Sequence, residues 1–357
     1  MKYMNFSVSF DIIKILFLGT VSFIISILLT PILTHFLYKY KLGKQIRSSE
    51  AAPIYSKLHK KKSGTPTMGG ILIWFTILAL AVIFYYLGKY TGVPFFHKLN
   101  FLTRSETLLP LGALVASALV GLLDDLFNIK SVGTKGIGGL TVKHRLLLYT
   151  IIAAFGAYWF FFKLDWDIIH VPFMGDFAIG WWYIPIFIFV IVATSFSVNE
   201  TDGLDGLAGG VLLSSFGAFA AIALILGKMN LAAFCTVIVG SLLAFLWFNI
   251  PPARFFMGDT GAMALGTTLG IVAMLTNSAF ILPIIGFILV VESFSVIVQI
   301  GSKKLRKGKK VFISAPIHHH LEAIGWPESK IVMRFWIISA VMAVLGIIVV
   351  LIDRSQI

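Results

Sequence analysis

Ile184-Pro-Ile-Phe-Ile-Phe-Val-Ile-Val-Ala193 decides the fold. Ten residues pass without a charge or an amide, and polar side chains do not alternate with apolar ones as on a half-buried strand. Extended both ways, the run covers about 180–198, close to the ~20 apolar residues a helix needs to cross a bilayer. A membrane β-barrel would instead show alternating segments of roughly 10 residues.

Read outward from there, the chain offers ten such spans, at about 12–38, 68–88, 105–127, 145–163, 180–198, 204–227, 231–249, 260–275, 279–301 and 331–352. Of its 357 residues 58% are hydrophobic and 13% charged. A charged share near 25% is usual in soluble domains, and disordered chains are poor in aromatic and β-branched residues. A water-soluble domain and a disordered chain are both excluded. The first run is too long for a signal-peptide core and has no small-residue cleavage site after it, so it is expected to remain as a span.

The net charge of +13 would suggest nucleic acid in a soluble protein. Here the cations lie between apolar runs, and membrane topology with anionic headgroups or phosphate substrates accounts for them. Odd-numbered connections hold twenty Lys and Arg, even-numbered ones five. The expected fold is therefore an all-α integral membrane protein with about ten transmembrane helices and both termini outside. A single polytopic domain spans 1–357, with cytoplasmic loops at about 39–67, 128–144, 199–203, 250–259 and 302–330. A lone Cys235 excludes an intrachain disulfide.

Sidedness sorts the polar residues. Asp124-Asp125, Asn199-Glu-Thr-Asp-Gly-Leu-Asp-Gly206, Asn249 to Asp259 and His318-His319-His320 fall at cytoplasmic membrane edges, which points to one site open to that side. Two aspartates at a helix C-terminus oppose the dipole and want a counter-cation, lysine or metal. Neighbours on a helix diverge by about 100°, so the two should do different jobs. Asp202 and Asp205 share a face if the sixth span begins there, though acids at a helix start also serve as caps. Asp259 reads as an N-cap of the eighth span, with small neighbours that would admit a phosphate. Three successive histidines suit hydrogen bonding to phosphate or sugar better than zinc. Glu292, mid-span, reads as a structural or lipid-groove residue apart from the site. Gly133-Thr-Lys-Gly-Ile-Gly-Gly139 is no P-loop, lacking the Gly-Lys-Ser/Thr ending. Carboxylates with hard oxygens favour Mg²⁺, and phosphoryl transfer then rests on positioning and charge neutralisation.

Six stretches carry a resemblance. Gly64-Thr-Pro-Thr-Met-Gly-Gly70, Asp124-Asp125, Asn199 to Ala208, Phe245-Leu-Trp-Phe-Asn249, Phe256-Met-Gly-Asp-Thr-Gly261 and Ala315-Pro-Ile-His-His-His-Leu-Glu322 run in order. They resemble the phospho-N-acetylmuramoyl-pentapeptide transferase family, within the polyprenyl-phosphate N-acetylhexosamine-1-phosphate transferases. The resemblance implies a Mg²⁺-dependent phosphotransferase of the bacterial inner membrane, with its active site on the cytoplasmic side. UDP-MurNAc-pentapeptide and undecaprenyl phosphate would give lipid I and UMP in peptidoglycan synthesis. By the same resemblance Asp259 would hold Mg²⁺, and Asp124 and Asp125 would orient or deprotonate the acceptor phosphate. For the family this chain resembles, a direct one-step attack and a covalent aspartyl route are competing mechanisms. Direct attack is preferred here, because a lipid phosphate is already a nucleophile and needs orientation. Lys62, Asp205, Asn249 and Phe256 match the uridine pocket, and Asn199 and Asp202 the ribose and pyrophosphate. His319 is a catalytic candidate, with His318 and His320 binding substrate. The chain departs from the family's usual residues at Phe196 (Asn), Glu200 (Leu), Asn128 (Lys), Arg145 (Lys) and Ala262 (Ser). Membrane lipids are expected partners, nucleic acid is not, and a homodimer is left open. The competing readings are a related transferase with another UDP-N-acetylhexosamine donor and a transporter or flippase. The latter would need ionisable groups along a transmembrane path, and apart from Glu292 the spans are nearly empty of them.

Overall fold

A computed structural model describes residues 6–43, 62, 64–130 and 139–355. Most cations assigned to the first loop (Lys44, Arg47, Lys57, Lys60 and Lys61), Lys135 and the glycine-rich stretch before Gly139 lie outside them. The helices are α1 (Phe6–Lys39), α2 (Gly70–Tyr90), α3 (Pro94–Leu99), α4 (Leu108–Ile129), α5 (Val142–Lys163), α6 (Tyr183–Thr201) and α7 (Leu207–Ile225). There follow α8 (Met229–Asn249), α9 (Gly258–Leu275), α10 (Leu282–Ile285), α11 (Phe287–Leu305), α12 (Ile317–Ala323) and α13 (Glu328–Ser355). Among the described residues, nine helices are long and apolar enough to cross a membrane.

The bundle is built around α9. Its sequence is rich in Gly, Ala and Thr, and every residue from Gly258 to Leu275 is buried except Asp259. Lipid tails are as apolar as leucine, so helices associate in a membrane through close contact of small residues and through buried hydroxyls. Thr267 does both: its Oγ1 meets Ser117 Oγ on α4 at 3.0 Å and Ser195 Oγ on α6 at 2.9 Å. Nearer the helix start, Thr260 Oγ1 donates to Ala118 O on α4 (2.8 Å) and accepts from the Trp74 indole of α2 (3.2 Å). The rigid helix that carries Asp259 is thereby tied to three neighbours.

Two expectations need correction. The span read at 279–301 is broken into α10 and α11 around Gly286, whose N–H closes onto Leu282 O at 2.7 Å. Glycine is a poor helix former, but inside an unbroken apolar run it was read through. Glu292, Gln299, Lys303 and Lys304 leave α11 outside the nine. The all-helical reading also missed a two-stranded antiparallel hairpin, β1 (Ile168–Val171) with β2 (Gly175–Ala178). His170 pins it at the far end of the bundle, 2.6 Å from both Asp176 and Asp353, while Phe173 N donates to Asp353 at 2.7 Å.

Candidate active site

Four helix ends meet at the opposite end of the bundle. Asp124 and Asp125 lie in the last turns of α4, which runs on to Ile129. Arg145 lies in the first turn of α5, begun by a Thr141 cap that accepts from His144 N. Asn199 closes α6, and Asp259 opens α9. The Arg145 guanidinium joins them: Nε is 2.7 Å from Asp124 Oδ2, Nη2 3.1 Å from Asp259 Oδ2, and Nη1 donates to Asn199 Oδ1 at 2.9 Å. Asn199 Nδ2 in turn donates to Asp259 Oδ1 at 2.5 Å. A cation at a helix start and an anion at a helix end are each unfavourable against the dipole. Together they satisfy one another, and the counter-cation of Asp124 is this arginine. A planar fork can serve three partners at once, which an ammonium cannot do with the same geometry.

The two adjacent aspartates part company. Asp124 is fully buried, faces Arg145 and accepts from Leu140 N at 2.5 Å. Asp125 turns to α9, where it accepts from Asp259 N (3.2 Å) and Thr260 N (3.0 Å), with Thr67 Oγ1 at 3.4 Å. The α9 start has no side-chain cap of its own, Met257 being the N-cap residue. Asp125 supplies that cap from another helix. Asp259 is therefore not the cap expected; it lies in the first turn with its carboxylate turned outward to Arg145 and Asn199. The approach is close enough that a Cβ on Gly121 would stand 2.2 Å from Asp259 O. Gly258, at φ +74°, makes the turn a side chain would strain.

A second cluster gathers Lys62, Asp205 and Asn249. Lys62 Nζ is 2.6 Å from Asp205 Oδ1 and 2.5 Å from Glu328 Oε1. Burial alone would lower its pKa, but Glu328 and Asp205 outweigh it and hold the ammonium above its ordinary value. Asp205 Oδ2 accepts from Ala253 N (3.0 Å), and Asn249 bridges Gly206 N and Phe255 O at 2.9 and 2.8 Å. Phe256 is half-buried, its backbone paired with Pro66 O and Gly69 N. Helix α7 starts only at Leu207, so Asp202 and Asp205 lie in the preceding turn and share no helical face.

The histidines occupy α12. His318 is fully buried, its Nδ1 2.9 Å from Glu292 Oε2, and its Nε2 lies against Gly203 in the Asp202–Asp205 turn. His319 pairs with Glu322 at 2.7 Å, and His320 accepts from Ile313 N at 3.3 Å. Glu292 thus belongs with the histidine motif; the sequence placed it apart because nothing local links positions 292 and 318. Glu328 was missed for a similar reason: it fell in the loop expected at 302–330, with nothing local to link it to Lys62 or Asp205. Arg145 was legible only as a departure from the family's lysine.

Burial by itself would lower the His318 pKa, but Glu292, with Glu322 and Glu200 behind it, raises it above the ordinary value near 6.5. The pair's contribution to stability is therefore complete below about pH 6.5 and fades as the pH rises through the raised folded-state value. Glu292→Gln is expected to cost on the order of 3 kcal/mol at pH 6, and clearly less at alkaline pH. Melting curves of both proteins across that range would show it; a pH-independent gap would refute the charged pair.

Among the described residues nine membrane-length helices, four of whose ends join in a carboxylate–guanidinium–amide cluster, make this a polytopic membrane protein, and residues 107–277 match the family model Glycosyl transferase family 4, which makes its class that of a membrane transferase. Residues 62–73 match Phospho-N-acetylmuramoyl-pentapeptide-transferase signature 1. A protein of Chloroflexus aggregans named phospho-N-acetylmuramoyl-pentapeptide-transferase is 38% identical over 97% of this chain and 92% of its own. Proteins of the same name from Geobacillus thermodenitrificans and Bacillus subtilis are each 40% identical, over 92% and 93% of this chain and 95% and 97% of theirs. The chain belongs to the phospho-N-acetylmuramoyl-pentapeptide-transferase family.

Proposed function

We propose that this cluster transfers phospho-MurNAc-pentapeptide from UDP-MurNAc-pentapeptide to undecaprenyl phosphate, giving lipid I and UMP. The observation that carries the reading is the union of Asp124, Arg145, Asn199 and Asp259 beside an apolar groove. That groove, about 620 Å³, lies between α5, α6 and α11 and is lined by Leu146, Thr150, Ile188, Phe196 and Ile297 among others. Leu146 follows Arg145, so a polyprenyl chain in the groove would bring its phosphate to the guanidinium. Phe196, where the family usually has asparagine, adds apolar surface to it.

Mg²⁺ binds through one or two carboxylates and takes its other ligands from phosphate and water. Asp259, partly exposed, is the carboxylate of the cluster that would hold it, whereas Asp124 is buried against Arg145 and Leu140 N. Mg²⁺ bound there would neutralise pyrophosphate charge. The protein's own groups do the rest. Arg145 and Asn199 orient the acceptor phosphate, one of whose oxygens bonds to the sugar-bearing phosphorus as the bond to UMP breaks. Lys62, Asp205 and Phe256 hold the uridine, and His319 and His320 flank the donor. His318 and Glu292, sealed from solvent, fix the Asp202–Asp205 turn. The cluster faces the cytoplasm of a bacterial inner membrane, the side to which the Lys- and Arg-rich connections assign these helix ends.

The test is UMP release by the purified protein with both substrates, with Mg²⁺ or EDTA. Release that needs lipid and metal supports the reading; release only with UDP-GlcNAc would replace the donor, and none with either would sink it. Ile188→Glu, which puts a carboxylate in the groove, is expected to raise the acceptor KM at least about tenfold, with the donor KM unchanged.

A further inference from the structure

The strongest charge on the described surface lies outside the site. Lys303, Lys304, Arg306, Lys307, Lys309 and Lys310 close α11 and its following loop, and all six are exposed. No described carboxylate is within ion-pairing distance of any of them. The acids that follow are committed elsewhere, Glu322 to His319 and Glu328 to Lys62.

A solvated tail would show no order, and this segment is clamped. Gln299, buried on α11, accepts from Val311 N and Phe312 N (both 3.0 Å) and donates to Phe312 O (2.8 Å). Ser302 Oγ donates to Lys309 O at 2.9 Å, and Gly308 N to Lys303 O at 2.8 Å. The loop is folded back on the helix as a knob with its cations fixed outward, so little ordering remains to oppose binding. Apolar side chains share its surface: Leu305 is 85% exposed, Val311 48% and Ile313 45%. Only Phe312 turns inward, against the His320 ring.

Unmatched cations with exposed aliphatic side chains, at the end of a helix that lines the membrane groove, fit one surface. We propose that residues 303–313 form an anionic-phospholipid platform, the cations meeting phosphodiester headgroups of the surrounding leaflet while Leu305 and Val311 enter its apolar edge. Polybasic segments beside a membrane gain about fivefold in lipid affinity per cation at low salt. The free energy of binding comes from headgroup charge, so zwitterionic lipid should be held far more weakly.

The test uses delipidated full-length protein in detergent, titrated with phosphatidylglycerol or phosphatidylcholine and read by native mass spectrometry. The wild type is expected to hold phosphatidylglycerol at least about tenfold more tightly than phosphatidylcholine. The quadruple variant Arg306→Gln, Lys307→Gln, Lys309→Gln, Lys310→Gln should lose most of that preference. Leu305→Ser, which leaves every charge, should weaken both lipids alike. In phosphatidylcholine nanodiscs the quadruple variant should keep the wild-type donor KM. A retained lipid preference would overturn the proposal. So would a several-fold, salt-sensitive rise in donor KM in phosphatidylcholine, which would assign the cations to steering the anionic nucleotide.

Discussion

Asp259→Asn is expected to lower UMP release by about 10³-fold, in kcat more than in either KM, while the protein folds and melts close to the wild type. The side chain is the one member of α9 that is not buried, so it has no packing role to lose. Its work is electrostatic. It takes one arm of the Arg145 fork and the Asn199 amide, and it presents negative charge where a donor pyrophosphate and its cation would sit. Asparagine keeps the size and can still accept from Arg145. It removes the charge that would hold Mg²⁺, and with that cation the neutralisation a dianionic pyrophosphate and a lipid phosphate would need to approach each other. Single members of preorganised charge clusters contribute about 10²–10³ in rate in well-studied enzymes. Donor binding should change little, because the proposed uridine site, the Lys62–Asp205 cluster, is separate from Asp259. Steady-state kinetics with each substrate varied, together with a melting curve, separate these effects. Activity within threefold of the wild type would remove Asp259 from the chemistry.

The membrane architecture was legible because bilayer thickness imposes a length on every apolar run, and eight of the nine membrane-length helices begin within about three residues of the expected positions. The exception is α1, which starts earlier, at Phe6. What failed was local. A glycine in an apolar run gives no length signal, so the break at Gly286 was invisible. A hairpin of four-residue strands is too short to show alternation. In the site, motif residues stood out by type and by position at helix ends, and Asp124, Asn199 and Asp259 do meet. The partners that fix them did not stand out. Arg145, Glu292 and Glu328 are single charges whose meaning comes from residues 21 to 266 positions away, and only tertiary contact makes that visible.

Asp124-Asp125 shows the same limit most sharply, since two identical neighbours are predicted to fail differently. Asp125→Ala is expected to destabilise the protein by about 3 kcal/mol, on the order of 6–12 °C in melting temperature, with activity falling because little folded protein remains. Its carboxylate is nearly inaccessible and receives two backbone N–H groups at the start of α9. Removing it strands both donors in the interior and takes an anion away from the positive end of the central helix. The α4–α9 contact is tight there, Gly121 lying against the Asp259 carbonyl, which leaves little room for a replacement acceptor. Asp125→Asn keeps an acceptor oxygen and should recover part of the loss. Asp124→Ala leaves a different remainder. Arg145 keeps Asp259 and Asn199 and has about a fifth of its side chain in solvent, so stability should fall by less. Catalysis should instead fall by about 10²-fold, as the guanidinium loses the partner that aims it. Melting temperature and UMP release, measured on the same preparations, give two opposite orderings of the variants. If Asp125→Ala melts with the wild type yet is inactive, the cap is not its role, and the acceptor-phosphate assignment returns to that carboxylate.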